Sequence, residues 1–548
     1  MYYTNFSRRK VFLFSSLITV LFGALAVTTF SLAVLPQKYV STQWLKHQLA
    51  MATDAFEYRL KSPDQGGVVL AAASLLGLNG SVSVASDSSP AQDIPVLLYH
   101  GIVDNPDRFS LAPEEFWDQM SALKKAGYRT ITLQEFEDFV SGKSAPKGKV
   151  FLLTFDDGRT DSYYQADPVL QALGFHAVMF IATQSSFVRP NDFDSYYLNQ
   201  ESIQAMVDSG RWDIGSHTVQ ETGGYVPIDA AGTQGNFLSN KKWLTDAGRL
   251  ETDAEYAARV QYELTYSKSE LERRLGITIT AMSYPFSDFG NQSINNQASA
   301  EAVIRAAVKD TYDYAFRQTT EKTPDFISNY PAGDPLQLRR IEVDTSWSGD
   351  QLVSYLQTVR SKSLPYADSF SEDTGWLDNW GEVVFQPGSI RLEAQPDTTG
   401  AFTFLDGSQP WQNYFYSTTV DWDEGGYVSL IARYQNSGNY ISCTFGAGRV
   451  HIDQNINGAV AVLTDQYNSI DLPRKGVRLS MYVDDNLVKC YEGSTAVATG
   501  YTISTLDHGG VGVRVWDPDQ HAAAGSITSV TVIPAEQATD FKNSLPNY

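Results

Sequence analysis

The sequence predicts a mainly parallel α/β domain, open or barrel-like, followed by an all-β sandwich and preceded by an apolar N-terminal helix. Three observations carry this. From Ile94 onward, short apolar runs ending in polar residues or glycine alternate with segments of helical character. Beyond Pro365 the pattern changes to short strands separated by Gly, Asn and Asp turns, as in a sandwich or jelly roll. Val11–Leu35 is uncharged, follows Arg8-Arg9-Lys10 and ends at Pro36.

That N-terminal run exceeds the apolar region of a cleaved signal peptide, about 7–15 residues, and reaches the roughly 20 that span a bilayer. The basic triplet before it predicts a signal anchor over residues 1–36, with the rest of the chain extracytoplasmic. Cleavage near Ala24–Ala33 is the alternative. Residues 37–93 read as a stalk, with a short amphipathic helix over Thr42–Leu60 and a Ser-, Ala- and Asp-rich linker over Gly80–Asp93. At 548 residues the chain is too long for one core. Its net charge of −22 and pI near 4.7 argue against a nucleic-acid partner.

The α/β region, residues 94–362, opens with Pro95–His100 as a strand, then a helix over Pro113–Gly127 with Phe116, Met120 and Leu123 on one face. Thr130–Leu133 reads as a strand and Gln134–Val140 as a helix. Val150–Phe155 is an apolar strand of the kind buried on both faces. It ends in Asp156-Asp157-Gly158, and a helix over Ser162–Leu173 and a strand over Ala177–Ile181 complete a β-α-β unit. Trp212–His217 is another strand ending in a candidate ligand. Glu221–Gly248 is a long loop, a candidate lid or substrate wall. Thr252-Asp-Ala-Glu255 is a capping box that opens a helix, and Gly276 closes it. Thr280–Pro285 and Leu338–Val343 are the last strands, with a helix over Ser348–Ser361.

Two adjacent carboxylates at a strand end repel one another and need a cation, a proton or hydrogen bonds. An Asp-Asp-Gly triplet is also a common solvated turn. The buried strand before it and the helix after it favour a metal and acid-base site, because catalytic groups gather at C-terminal strand ends. Of the histidines, His100 ends the first strand and points to the same end. His176 opens a buried strand and reads as structural, and His47, His451, His508 and His521 take no role. Cys443 and Cys490 are the chain's two cysteines; they are either a disulfide, permitted outside the cell, or two buried thiols.

Together Leu97-Leu-Tyr-His100, Thr154-Phe-Asp-Asp-Gly158, Gly215-Ser-His-Thr218, Tyr284-Pro-Phe286 and Leu338-Arg-Arg-Ile341 resemble the motifs of the polysaccharide deacetylases, the NodB-homology carbohydrate esterases. The resemblance implies a distorted (β/α) barrel holding a divalent metal, most often zinc, at its C-terminal mouth. It implies Asp156 as general base, Asp157 and His217 as metal ligands, and the Phe286 backbone N–H in an oxyanion hole. Such a site suits amide hydrolysis: a cation lowers the pKa of its water toward about 7, and a fixed N–H stabilises the tetrahedral oxyanion. The implied function is membrane-anchored N-deacetylation of an extracellular or cell-wall polysaccharide. A degenerate barrel that only binds glycan, or a glycoside hydrolase, is the alternative.

The sequence departs from the family pattern in three places. Glu221 and Thr222 stand where a second metal histidine is expected, so Glu221 becomes the candidate third ligand. No histidine lies near the last strand, which leaves Asp344 as the nearest titratable group. Tyr284-Pro285 lacks the arginine that orients the aspartate base in many relatives, and Tyr284 itself is a further site candidate. The C-terminal region, residues 370–536, resembles concanavalin-like or laminin-G-like sandwiches through Leu405-Asp-Gly-Ser408, Arg433-Tyr434, Asn439-Tyr440 and Gly510–Trp516. Trp411, Trp422 and Trp516 could stack on sugar rings or fill the core. Residues 537–548 form a tail.

Overall fold

The computed structural model describes residues 89–540, apart from 188–195, 221–223, 292–294, 320–324, 447, 468–473, 503–505, 520–521 and 539. The predicted anchor, nearly all of the stalk, His47, Glu221, Thr222, His521 and most of the tail lie outside the described residues. Among those described, no helix is long and apolar enough to cross a membrane.

Seven parallel strands close into a barrel. Their order is Val96–Tyr99, Leu338–Glu342, Tyr314–Thr319, Ala281–Ser283, Trp212–Ser216, Ala177–Ile181 and Val150–Phe155, which pairs back onto Val96–Tyr99. Val150–Phe155, Val96–Tyr99 and Ala177–Ile181 are buried at every residue. Such strands read as continuous apolar runs because one face lines the barrel and the other meets a helix. One seam is thin, with Ala281–Ser283 meeting Trp212–Ser216 at the single pair Met282–Ser216. Arg129–Thr130 is a two-residue strand outside the closed ring.

Side-chain alternation sorts the two faces. Val96, Leu152, Val178, Phe180, Ala281, Phe316 and Leu338 form one cluster inside the barrel. Leu97, Phe151, Leu153, Met179, Met282 and Ile341, at the intervening positions, pack outward against the helices. The same interior cluster takes in Leu133, Phe136, Phe139 and Val140 of the Leu133–Val140 helix. With the Phe136 and Phe316 rings 5.5 Å apart, that helix plugs the end opposite the Asp-Asp-Gly turn. Thr132 begins it as a capping box with Glu135, which explains why the strand predicted over Thr130–Leu133 stops after Thr130. Gly215 is required by this interior, since a Cβ there would lie 2.4 Å from the Phe180 ring.

The helices follow the pattern in the sequence. Pro113–Lys125 buries Phe116, Met120 and Leu123. Asp253–Leu275 starts at the Thr252/Glu255 capping box, buries Tyr256, Val260, Leu264, Leu271 and Leu275, and ends at Gly276 in the left-handed region. The predicted long loop contains one small hairpin, Tyr225–Pro227 with Gln234–Asn236, and the first strand of a second, Trp243–Leu244, which pairs with Arg249–Leu250 just beyond it.

Beyond the barrel, two antiparallel sheets form the sandwich. Trp411 and Trp422 are core residues, whereas Trp516 stands on an outer face, its ring stacked 4.9 Å from Tyr427. Phe326 and Tyr330 of the barrel pack on Phe402, Phe404, Ile431 and Tyr434 of the sandwich. Cys443, on Asn439–Gly446 of one sheet, is joined by a disulfide to Cys490, on Leu487–Glu492 of the other. The bridge closes a sequence separation of 47. Chain-entropy reasoning for a loop of this size gives about 4 kcal/mol of stabilisation. The variant with both Cys443→Ser and Cys490→Ser is expected to unfold at lower denaturant concentration by roughly that amount. An unchanged urea midpoint would mean that the bridge does not stabilise the sandwich.

Candidate active site

Strand alternation gathers the site. Asp156 continues the inward face of Leu152 and Thr154, and Arg340 that of Leu338. Ser283 continues that of Ala281, and His217 that of Gly215. Arg340 Nη1 and Nη2 donate to Asp156 Oδ1 and Oδ2 at 2.6 and 2.8 Å. Both residues are sealed from solvent, at 0 and 1% exposure. Ser283 Oγ donates to Asp156 Oδ1 at 3.2 Å and lies 2.6 Å from His217 Nδ1. With its one proton directed to the carboxylate, this hydroxyl accepts from Nδ1–H. The lone pair of His217 is thereby assigned to Nε2, which lies 3.5 Å from Asp157 Oδ1. A hydrogen-bonded chain therefore runs from Arg340 through Asp156 and Ser283 to His217, whose free Nε2 faces Asp157.

Burial raises the pKa of Asp156. The Arg340 guanidinium, followed by His217 and His100, outweighs burial and holds the carboxyl well below the usual carboxylate range. Asp156 is thus an anion at any working pH.

The turns carrying these groups adopt left-handed backbone. Asp157 has φ 72° and Gly158 φ 70°; after His217, Thr218 and Gln220 have φ 60° and 54°; Phe286 has φ 57°. Each non-glycine example costs on the order of 1 kcal/mol and persists only where the surroundings impose it. Glu263, on the long Asp253–Leu275 helix, supplies that force for the His217 loop. Its Oε1 accepts from the Val219 and Gln220 amides, both at 2.9 Å.

Asp156, Asp157 and His217 meet at the barrel mouth. His100 is there too, its Nδ1 4.0 Å from Glu342 Oε1 on the neighbouring strand. Phe286 sits in a short helical turn three residues after Ser283, its ring 44% exposed and 4.9 Å from that of Tyr225. Two sequence candidates lie elsewhere. Tyr284 is buried on the outward face and its hydroxyl donates to the Leu336 carbonyl at 3.1 Å. Asp344 is exposed, and its Oδ1 accepts from the Ser346 hydroxyl and amide at 2.7 and 2.8 Å, which lowers its pKa. It shapes a turn ahead of the Gly349–Thr358 helix. His176 pairs with Asp213 at 2.7 Å at the start of its strand, away from the mouth.

Asp157 and His217 present one carboxylate and one imidazole nitrogen to a common point, a donor pair suited to a divalent cation. Among the described residues, no group of three or more His, Cys, Asp or Glu side chains could hold a metal. The residue that sequence reasoning missed is Arg340. The arginine absent before Tyr284-Pro285 is supplied from the last strand, and the signal was its parity with apolar Leu338.

Lysine at position 340 would keep the charge but lose the two-pronged fork. Arg340→Lys is expected to lower kcat about 100-fold by misplacing Asp156, with a small change in melting temperature. Arg340→Leu leaves a buried carboxylate unpaired and is expected to cost about 3–5 kcal/mol of stability. Because burial is then opposed only by the weaker effects of His217 and His100, the pKa of Asp156 rises and any acid limb it contributes to the pH–rate profile moves to higher pH. A profile and rate like wild type in both variants would show that the pair does not serve the reaction.

Residues 143–305 match the polysaccharide deacetylase family. YxkH of Bacillus subtilis (strain 168), named as a polysaccharide deacetylase, is 32% identical over 267 residues, which cover 49% of this chain and 77% of that protein. The poly-β-1,6-N-acetyl-D-glucosamine N-deacetylase of Escherichia coli (strain K12) is 23% identical over 219 residues, covering 37% of this chain and 32% of its own length. Among solved structures, a de-N-acetylase from Aggregatibacter actinomycetemcomitans aligns with TM-score 0.40 and 21% identity, over 48% of this chain and 99% of that one. The coverage and identity of the Bacillus relative, with the motifs in place around the barrel mouth, are decisive: this chain belongs to the polysaccharide deacetylase family, hydrolases of carbon–nitrogen bonds other than peptide bonds.

Proposed function

We propose that this protein hydrolyses the acetamido groups of an N-acetylated extracellular or cell-wall glycan at the mouth of its barrel. The observation that carries the reading is the buried chain from Arg340 through Asp156 and Ser283 to His217, which turns the imidazole Nε2 toward the Asp157 carboxylate at the mouth. The name of the Escherichia coli relative supports an N-acetylglucosamine polymer as the substrate class.

Asp157 and His217 would hold a divalent cation, which supplies Lewis acidity toward the attacking water and the acetamide carbonyl. Asp156 orients that water and takes its proton. Arg340 limits the basicity of Asp156 but removes its freedom to turn away, an exchange of proton affinity for orientation. Ser283 keeps His217 in one tautomer. Expulsion of the amine requires a proton at the sugar nitrogen, and His100, at the mouth beside Glu342, is the donor. The Phe286 peptide N–H, in its left-handed turn after Pro285, is the donor to the developing oxyanion in this reading. The products are acetate and a glycan amine. The apolar Val11–Leu35 run supports anchorage to a membrane with the barrel outside.

Acetate release from N-acetylglucosamine oligomers by the full chain, with and without a chelator, tests this reading. Release that stops on chelation and returns with added divalent cation is expected, with His100→Ala about 100-fold slower. New reducing ends without acetate would identify a glycoside hydrolase instead. Acetate release indifferent to chelation would remove the cation from the reaction.

A further inference from the structure

Beside the catalytic groups lies an open pocket of about 500 Å³, walled by Asp104, Asn105, Asp107, Arg159, Asp161 and Gln165. Its volume falls within the range of small-ligand sites. The pocket is assembled from the two segments that carry the site. One is the stretch just after His100; the other begins two residues after Asp157.

Local construction shows why it is open. Arg159 is 7% exposed and passes beneath Gly101, where a Cβ would lie 2.4 Å from Nη2 and from Ser110 Oγ. Asp161 receives Arg159 Nε and Nη2 at 3.0 and 2.6 Å, so the guanidinium is already neutralised. The Phe109 amide, then the Ser110 hydroxyl, lowers the pKa of Asp107 and keeps it ionised. Among the described residues, no hydrogen bond engages the side chains of Asp104, Asn105 or Gln165. Two further carboxylates, Asp104 and Asp107, therefore stand beside an Arg159–Asp161 pair that is already neutral. Arg108, the nearest further cation in sequence, is outside the wall, with its guanidinium 4.3 Å from the Phe109 ring centroid. Two aromatic rings flank the segments that form the pocket: Phe109, 45% exposed and 6.1 Å from the His100 ring, and Tyr196, 50% exposed and 4.6 Å from the Arg159 guanidinium.

We propose that this pocket is a subsite for the sugar unit next to the reacting one, and that it favours a unit carrying a free ammonium. The inference rests on the deacetylase reading, because the amine it selects is the product of that reaction. The Asn105 and Gln165 amides and the Asp104 carboxylate suit ring hydroxyls, the flanking rings suit the apolar faces of sugars, and the excess negative charge suits a glucosaminium. Chains that already contain free amines would then be better substrates than fully acetylated ones.

Two β-1,6-linked pentamers test the subsite, one fully N-acetylated and one with a single free amine. In the full-length wild type, kcat/KM is expected to be about threefold higher for the second at low salt, the size of one solvent-exposed ion pair. Added salt and Asp104→Asn should each bring the ratio toward one. Equal kcat/KM for both pentamers in the wild type would overturn the subsite while leaving deacetylation intact. If neither pentamer yields acetate, the deacetylase reading fails, and calorimetric binding of the glucosamine pentamer decides the pocket separately. Tighter binding by wild type than by Asp104→Asn would support it, and equal binding would overturn it.

Discussion

The mouth of this barrel depends on one buried ion pair. Asp156 and Arg340 sit on strands that are not neighbours; Val96–Tyr99 lies between them and pairs with both. The pair therefore exists only when Val96–Tyr99 has paired with both strands, and burial then makes the guanidinium the principal partner of the carboxylate. Two charges removed from water repay their desolvation only through good geometry, and a two-pronged guanidinium supplies it. Among the described residues Arg340 Nε has no hydrogen-bond partner, so its hydrogen bonds come through the two terminal nitrogens, with the Phe180 ring centroid 5.4 Å from the guanidinium.

Around that fixed pair, the flexible parts of the site are loops held in costly backbone states. Asp157, Thr218, Gln220 and Phe286 all have positive φ. The force that keeps them there comes from ordinary scaffold: a long capped helix delivers Glu263 under the His217 loop, and the tight pack of Phe180 against Gly215 fixes the strand that precedes it. Precision at the mouth is thus underwritten by helix and strand, while the turns contribute direction.

Much of this was legible in the sequence. Val150–Phe155, Val96–Tyr99 and Ala177–Ile181 announced a buried parallel sheet because both faces of such strands must be apolar. Thr252/Glu255 and Gly276 marked both ends of the long helix through local capping chemistry. The strand predicted over Thr130–Leu133 failed because Thr132 found a better use as a helix cap than as a ladder residue. Tyr284 and Asp344 were placed near the motifs by sequence proximity, but strand parity turned one outward and a local Ser346 turn engaged the other. Arg340 was hidden for the opposite reason. An arginine inside an apolar strand reads as surface unless its partner, distant in sequence, is known to face the same interior. Ring closure is a long-range fact that no local window contains.

The helix Leu133–Val140 seals the far end of the barrel with Phe136 and Phe139. The barrel is consequently a cup and not a pipe. A polymer could not thread through such a barrel and would have to meet the catalytic groups from the open rim alone. Its release would then require no end to be drawn out through a tunnel.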